Sequence, residues 1–578
     1  MKGGEINVWK FMMGVNQYRI PCYQRNYSWT EKECQGLYDD MLDLYEQRKY
    51  VDKEIKFTHF IGSVVFGQDD HGSILIIDGQ QRLTTMYLFY LALYRVAKEK
   101  SQTPEDYSFA EKINVKILEA DDDNSVNWSK PHRFKFSSQQ DQNAFDKLFA
   151  GKDADYINDS LLTKNYRYFY NRLQNEGQIS LKDFYFLTQS VCFITVELQL
   201  GDDAQRIFES LNSKGLPLTV GDKICNFLLM GCDAGQAEDF YNNLWVPMEH
   251  NCALGTIGDF ISYYLTIKLA QPPKRYDLYA DFKSYYYKTY RALDSSNNGA
   301  MLNELLDYSK LYVYNKNCSY DLSAKEHESL QKAIDQCLYR LRYLGYEVRI
   351  PFTMYCMWLH KEGQITGTEL FTALQMVENF LFRRLVCGIP TNSLNKLFAA
   401  LPRRIAEHEG VDFISKLSEI MCSWSYRLPN DESFKQTIET ADFYTSKSWL
   451  LPYIIERLES IESKEQSKIY GEKLTCEHIM PQTLTDEWRA ELGADADAIH
   501  EEWQHRLANL TLTAYNSNYS NRPFAEKCTM EHGLASSPLH TNRAIASHEH
   551  WGLAELQQRA KELGEKACQI WPYPKHSD

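Results

Sequence analysis

Near its C-terminal end the chain reads Leu474-Thr475-Cys476-Glu477-His478-Ile479-Met480-Pro481. This run is strand-like, and it carries a carboxylate and an imidazole side by side toward a proline, which cannot extend a strand ladder. A second strand-like run follows, and it reads Leu507-Ala508-Asn509-Leu510-Thr511-Leu512. The two runs predict a pair of strands that carries Glu477, His478 and Asn509 as candidate functional residues.

The segment after the second run is rich in asparagine, and its marked residues are Asn516, Asn518, Asn521, Pro523, Phe524 and Lys527. Asparagine is unfavourable inside strands and helices, so a cluster of asparagines calls for a specific explanation. Turn formation is one such reason, because asparagine tolerates left-handed backbone conformations. Metal-dependent cleavage of a phosphodiester is another. In that chemistry a histidine deprotonates water, while a carboxylate and a carboxamide hold Mg²⁺ through oxygen.

A second candidate site begins with the buried-strand pattern of residues 73–77, which is followed by Asp78-Gly79-Gln80-Gln81-Arg82 and a long helical pattern. A strand, a glycine turn and a helix start favour anion binding, because free backbone N–H groups and the helix dipole face the ligand. Arg82 adds a bidentate phosphate donor, and Asp78 could hold a metal, a water or a ribose hydroxyl. A plain Asp-Gly turn is the structural alternative.

Two further segments accompany this second site. Residues 20–29 gather aromatic side chains and the pair Gln24-Arg25 around Pro21, and their structural alternative is an aromatic staple with a surface arginine. Residues 204–215 predict a helix that ends at a glycine C-cap. Asp222 is predicted to open the following helix, and its structural alternative is a simple N-cap.

The C-terminal motifs resemble the HNH (ββα-metal) nuclease domain of GmrSD-type restriction endonucleases, the type IV enzymes that depend on DNA modification. The matching patterns are Glu-His-Ile-x-Pro, Asn-Leu-Thr-Leu and Asn-x-x-x-x-Asn-x-Pro-Phe-x-x-Lys. The resemblance implies that His478 is the general base and Glu477 the metal-side carboxylate. It also implies that Asn509 braces the catalytic loop and that Asn516 or Asn521 completes the metal site.

The match to the HNH pattern is incomplete at one position, where this chain has asparagine and many HNH domains have histidine. Asparagine can bind Mg²⁺ or Mn²⁺ through its oxygen, so the departure leaves open only which of the two asparagines does so. The Cys-x-x-Cys pairs that hold a structural zinc in many HNH proteins are absent from the sequence. We therefore expect no structural zinc.

The N-terminal motifs resemble the N-terminal domain of the same family, which is related to the ParB/sulfiredoxin fold. The phosphate loop of that fold has a Gly-x-x-Arg core, matched here by Gly79 to Arg82. The resemblance implies binding and hydrolysis of a nucleoside triphosphate (ATP, GTP, UTP or CTP) and a link to recognition of modified DNA. It assigns this nucleotide site to Asp78, Gly79, Gln80, Gln81 and Arg82, with support from Gln24 and Arg25.

The whole sequence predicts an α+β, predominantly helical, multidomain protein. A chain of 578 residues is too long to fold around a single hydrophobic core, so we expect three domains. These are a ParB/sulfiredoxin-like domain over residues 1–235, a helical connector over 236–440 and an HNH domain over 441–578. Strands are predicted at residues 60–66, 74–77 and 193–198. A helix over residues 551–563 is predicted to cover the strand pair.

The net charge of −15 argues against a protein that simply coats DNA, because phosphate neutralisation supplies most non-specific affinity. A local basic groove remains possible for such a chain. Its predicted DNA contacts are Lys527, Arg522 and Arg133, the last within a basic and aromatic run that includes Lys130, His132 and Lys135. No apolar run approaches the roughly 20 residues of a membrane span, and the cysteines are scattered, so we expect a cytoplasmic protein.

The resulting hypothesis is an NTP-dependent and Mg²⁺-dependent DNA endonuclease that restricts modified phage DNA, for example DNA with glucosylated hydroxymethylcytosine. A nuclease acting on RNA or on unmodified DNA is one alternative, because phosphodiester hydrolysis needs the same residues either way. A nucleotide-gated regulatory protein with an inactive HNH unit is another. One HNH unit nicks one strand, so a double-strand break requires two successive nicks or a homodimer.

Overall fold

The computed structural model describes residues 2–13, 17–22, 24–49, 58–68, 73–119, 133–136, 138–199, 202, 218–229, 232–253, 256–322, 328–407, 412–423, 428–462 and 474–574. The chain falls into two compact units. The first consists of Met1–Gly258 and Tyr276–Leu306, and the second of Asp259–Arg275 and Asp307–Asp578. The three-part division remains a prediction. The helix predicted at residues 204–215, together with Lys130 and His132, lies outside the described residues.

The first unit contains a mixed six-stranded sheet. Its strands are β1 (Lys2–Asn7), β2 (Tyr18–Ile20), β3 (His59–Gln68), β4 (Ile74–Asp78), β5 (Phe134–Phe136) and β6 (Val191–Glu197). They lie in the order β1-β6-β3-β4-β2-β5. The pairs β1–β6 and β3–β4 are antiparallel, while β6–β3, β4–β2 and β2–β5 are parallel. The predicted strands at 60–66 and 74–77 are confirmed as parts of β3 and β4, and the strand predicted at 193–198 is confirmed as β6, which ends one residue earlier, at Glu197.

The described helices up to residue 290 are Val8–Met12, Glu31–Lys49, Gln80–Glu99, Pro104–Ile113, Gln139–Ala150, Leu161–Asn175, Leu181–Leu187, Val220–Leu229, Ala234–Phe240, Val246–Cys252, Ile257–Leu269 and Leu278–Tyr290. The helix Gln80–Glu99 forms the centre of the first core, and apart from Arg95 its residues 83–97 are buried. A helix that is apolar on every side is stable only inside a protein. Its Tyr87 ring contacts Phe134 of β5 and Phe145, each with ring centroids 5.3 Å apart.

The remaining described helices are Ser295–Asn317, Glu328–Tyr343, Ile350–Lys361, Gly367–Val386, Leu394–Glu407, Phe413–Cys422, Asp431–Thr440, Leu451–Glu462, Asp486–Leu492, Ala496–Trp503, Asn516–Tyr519, Phe524–Thr529, His540–Ala546 and Leu553–Ile570. The described part of residues 236–440 is helical, as predicted. Where the structure describes the chain, no helix has the length and apolar character needed to cross a bilayer.

The second unit carries a two-stranded sheet made of β7 (Thr475–His478) and β8 (Leu510–Thr513). The strands are antiparallel, with His478 opposite Leu510 and Glu477 opposite Thr511. The predicted covering helix runs over Leu553–Ile570, and Arg559 of this helix donates to the Ala508 carbonyl at 2.6 Å. The helix therefore lies against the start of β8, as the sequence predicts.

Candidate functional site

The strand β7 gives Glu477 and His478 separate surroundings, because successive residues of a strand point to opposite faces. Both side chains are buried. Lys527 Nζ donates to Glu477 Oε1 at 2.6 Å, whereas His478 Nε2 lies 3.2 Å from His505 Nδ1. The adjacent carboxylate and imidazole of the motif thus have different partners.

The loop after β7 is held by Asn509, whose side chain is fully buried. Its Oδ1 accepts from the Met480 backbone N–H at 2.8 Å, and its Nδ2 donates to the Met480 carbonyl at 2.8 Å and the Gln504 carbonyl at 3.0 Å. Trp551 Nε1 also donates to Asn509 Oδ1. These bonds fix the backbone next to His478 and agree with the bracing role predicted for Asn509.

Glu477 and Lys527 form a buried ion pair. Burial raises the pKa of Glu477, and the Lys527 ammonium opposes that rise. Burial likewise lowers the pKa of Lys527, while the carboxylate opposes it. Lys527 Nζ also donates to the His478 carbonyl at 2.8 Å. Lys527 therefore binds the strand that carries the candidate catalytic residues, and its full burial gives no support to the DNA contact predicted for it.

His478 lies in an aromatic and basic environment. The Tyr444 ring contacts the His478 ring edge-on at 4.4 Å between centroids, and it stacks on the His505 ring at 5.0 Å. Burial, followed by the neighbouring His505 and Lys527, lowers the pKa of His478 to about 4. The imidazole is therefore neutral near pH 7, which is the form that accepts a proton.

Of the two candidate asparagine ligands, the structure brings Asn516 to the strand of Glu477. Asn516 begins the short helix Asn516–Tyr519, and its Nδ2 donates to the Cys476 carbonyl at 2.7 Å. Asn521 is exposed, and no described contact places it against Glu477. Of the two, Asn516 is therefore the one with a described contact to the strand that carries Glu477.

The other predicted DNA contacts occupy different settings. Arg522 is about half exposed and forms an ion pair with Glu526. Arg133 is 3% exposed, and its guanidinium donates to the backbone carbonyls of Met12 and Val115 at 3.3 and 3.2 Å. The structure therefore does not support a DNA contact for Arg133. The guanidinium of Arg133 instead donates hydrogen bonds to buried backbone carbonyls, which need a donor because water does not reach them.

Glu477 and Asn516 carry the kinds of oxygen atom that Mg²⁺ prefers as ligands. The Glu477 carboxylate accepts from Lys527, while the Asn516 side chain donates through Nδ2 to the Cys476 carbonyl, which leaves its carboxamide oxygen for another partner. Among the described residues there is no group of three or more His, Cys, Asp or Glu side chains that could hold a metal. Mg²⁺ tolerates so few protein ligands because it keeps several of its waters.

The N-terminal candidate site is built on Gly79, which has φ +90° and precedes the helix Gln80–Glu99 without a side-chain cap. A Cβ atom at Gly79 would lie 2.8 Å from Val64 Cγ2, so both the conformation and the space require glycine. Burial raises the pKa of Asp78, and Arg82 and the Gly79 N–H oppose this rise. The turn thus presents an uncapped helix start beside a carboxylate and a guanidinium.

The glutamines of this site connect it to residues 24–29. Gln24 Nε2 donates to the Ile77 carbonyl at 2.7 Å, and Gln80 Nε2 donates to the Arg25 carbonyl at 3.2 Å. Gln81 Oε1 accepts from the Ser28 backbone N–H at 2.9 Å. The structure therefore brings the two predicted N-terminal segments together, with Gln24, Arg25, Gln80 and Gln81 lining one small pocket.

One acceptor in this pocket is Gln80 Oε1, which is buried and accepts no hydrogen bond from the residues that the structure describes. Arg82 Nη1 donates to the Ser63 carbonyl at 2.9 Å across the neighbouring strand β3. A buried unpaired oxygen is costly, so the site has a place for a donor from a ligand or a water.

His505 and Tyr444 were not identified from the sequence. His505 lies 27 positions from His478 along the chain and belongs to no motif. It reaches His478 because the Phe443 backbone N–H donates to the His505 carbonyl at 2.9 Å and Asp442 bridges to Arg506. A histidine or a tyrosine outside any motif is too common in protein sequences to indicate a functional site.

Comparison with known proteins identifies both ends of the chain. Residues 8–229 match the model of the GmrSD restriction endonuclease N-terminal domain, and residues 428–566 match that of the GmrSD restriction endonuclease C-terminal domain. No curated protein matches the chain. The two matches together span more than half of the sequence, and they include Gly79 and His478 respectively. The chain therefore belongs to the GmrSD restriction endonuclease family.

Proposed function

We propose that this chain is an NTP-dependent and Mg²⁺-dependent endonuclease that cuts modified phage DNA, such as DNA with glucosylated hydroxymethylcytosine. Family membership supports a nuclease that restricts modified DNA. The observation that carries the proposed chemistry is the neutral, buried imidazole of His478 on the strand that also bears Glu477 and that Asn516 contacts through the Cys476 carbonyl. This is the residue set of an HNH site.

His478 acts as the general base in this proposal. Its neutral imidazole removes a proton from the attacking water, and its position is fixed by Asn509 through the bonds to Met480. Glu477 and the Asn516 oxygen would hold the divalent ion, which supplies positive charge to the phosphate and the leaving oxygen. The Lys527 ammonium pairs with the Glu477 carboxylate and opposes the rise that burial causes in the pKa of Glu477.

The N-terminal site binds the nucleoside triphosphate. The uncapped N–H groups that follow Gly79 and the positive helix dipole attract the phosphates, and Arg82 adds a cationic donor. Gln80 Oε1 is the free acceptor for the nucleotide. The nucleotide controls DNA cleavage in this proposal, so that the nuclease is inactive on the DNA of its host.

The test is a cleavage assay with Mg²⁺ on two DNA molecules of one sequence, with and without glucosylated hydroxymethylcytosine, each in the presence and absence of NTP. We expect cutting only of the modified DNA and only with NTP. Equal cutting of both DNA molecules contradicts recognition of the modification. Cutting of an RNA of the same sequence in place of DNA supports the alternative of an RNA nuclease.

A further inference from the structure

The contact between His478 and His505 constrains where hydrogen atoms lie in the site. His478 Nε2 and His505 Nδ1 are 3.2 Å apart, which is a hydrogen-bond distance. Two neutral imidazoles share one hydrogen in such a contact, because each ring has one N–H and one lone pair. Either His478 donates and His505 accepts, or the reverse.

The proposed role of His478 selects between these two arrangements. With Nε2 engaged by His505, the nitrogen of His478 that remains for catalysis is Nδ1. A neutral imidazole accepts a proton at Nδ1 only when its own hydrogen is on Nε2. The shared hydrogen must then belong to His478, and His505 Nδ1 must accept it.

His505 is held firmly enough to impose this choice. Its ring stacks on Tyr444 with 20° between the planes, and the same tyrosine contacts His478 edge-on. The His505 carbonyl accepts from the Phe443 backbone N–H, which ties the histidine to the segment that carries Tyr444. The two histidines and the tyrosine thus form one packed group within the second unit.

We propose that His505 is a positioning residue for the general base, whose Nδ1 accepts the hydrogen of His478 Nε2 and so leaves His478 Nδ1 as the proton acceptor. During the reaction His478 gains a proton at Nδ1 from water and keeps its hydrogen at Nε2. The bond to His505 thereby holds the tautomer of His478 in which Nε2 carries the hydrogen and Nδ1 has a free lone pair. This inference rests on the proposed function of His478.

The test compares three substitutions in the full-length protein. His505→Asn retains an acceptor, because the asparagine Oδ1 takes a position close to that of the histidine Nδ1. His505→Phe retains a ring that stacks on Tyr444 and removes the acceptor. His550→Ala is the matched control, since His550 is an exposed histidine in the same unit.

For His505→Phe we expect kcat for cleavage to fall by about 10- to 100-fold with little change in KM for DNA, as for other partners that orient a reactive histidine. His505→Asn should recover most of the lost kcat. The affinity for Mn²⁺, measured by calorimetry, should be the same in wild type and all variants. Equal kcat in wild type and His505→Phe overturns the proposal. A parallel loss of Mn²⁺ affinity overturns it too, by making His505 a metal ligand.

Failure of this inference can be distinguished from failure of the proposed function by His478→Ala. If His478→Ala cuts DNA normally, the general-base assignment is wrong and the inference fails with it. If His478→Ala is inactive while His505→Phe is fully active, the proposed function stands and only the role of His505 is wrong.

Discussion

The two candidate sites differ in what their motif side chains bind. In the N-terminal site, Gln24, Gln80 and Arg82 donate to backbone carbonyls of neighbouring segments. In the C-terminal site, Glu477 and His478 bind the side chains of Lys527 and His505. The side chains of the first motif therefore hold neighbouring backbone segments together. The second assembles reactive side chains from distant parts of the chain.

The charge environment separates the sites further. The buried carboxylate of Glu477 is paired with a buried ammonium. In the N-terminal pocket the buried carboxylate of Asp141 accepts from the Tyr27 backbone N–H at 2.7 Å. Burial raises the pKa of Asp141 to about 6, with only that backbone bond opposing the rise. Lys527 thus opposes the effect of burial on the pKa of Glu477, whereas at Asp141 burial is opposed only by a backbone hydrogen bond.

Breaking the Glu477–Lys527 pair should have the largest effect on stability. Lys527→Met leaves the buried Glu477 carboxylate without its cation, and such a loss destabilises by about 3–5 kcal/mol. Urea unfolding of the full chain measures it, with Lys561→Met as an exposed-lysine control. Adding Glu477→Gln should recover part of the loss. If Lys527→Met lowers the free energy of unfolding as little as Lys561→Met does, the Glu477–Lys527 pair does not stabilise the fold.

The Asp141 carboxylate should give the first unit a pH-dependent stability. Its folded pKa of about 6 lies above the ordinary aspartate value of 3.8, so the folded state holds the proton more strongly than the unfolded state. Stability therefore falls as pH rises from about 4 to about 6, by at most about 3 kcal/mol. Asp141→Asn should remove this fall, while the exposed Asp159→Asn should leave it. Unfolding free energies across this pH range measure both, and an unchanged slope in Asp141→Asn contradicts the assignment.

The glycine of the N-terminal turn should tolerate no side chain. Gly79→Ala places a Cβ against Val64 at a positive φ, and we expect a cost of about 1–3 kcal/mol together with lost NTP binding. Gly177→Ala is the control, because nothing lies within 4 Å of its Cβ position. Thermal unfolding and NTP titration of both variants make the comparison. Equal stability and equal NTP affinity in the two variants would show that the Gly79 backbone does not contribute to nucleotide binding.

Arg82→Ala should have the smallest effect on stability and a clear effect on ligand binding. It removes one hydrogen bond to the Ser63 carbonyl, which contributes about 1 kcal/mol. The NTP dissociation constant should nevertheless rise at least about tenfold, because a cationic phosphate donor is lost. Lys135→Ala on β5 serves as an exposed-cation control. Unchanged NTP affinity in Arg82→Ala would show that residues 78–82 form only a structural turn and do not bind the nucleotide.

Local periodicity was enough to predict the strands β3, β4, β6 and β7 and the helix Leu553–Ile570, since each has its apolar pattern within a few residues of itself. It did not reveal that Lys527 pairs with Glu477, 50 positions away. It also gave no sign of the His478–His505 contact. These pairs arise from the packing of segments that are remote in sequence. Arg133 shows the converse, because this arginine belongs to a basic run that resembles a surface and is nevertheless buried among backbone carbonyls.

The central claim is that His478 is the general base of a DNA nuclease whose nucleotide site is separate. The most direct measurement is the rate of cutting of modified DNA by His478→Ala with Mg²⁺ and NTP, together with NTP hydrolysis by the same preparation. We expect cutting to fall by about 10²- to 10⁴-fold while NTP hydrolysis stays at the wild-type rate. Cutting at the wild-type rate by His478→Ala would contradict the claim.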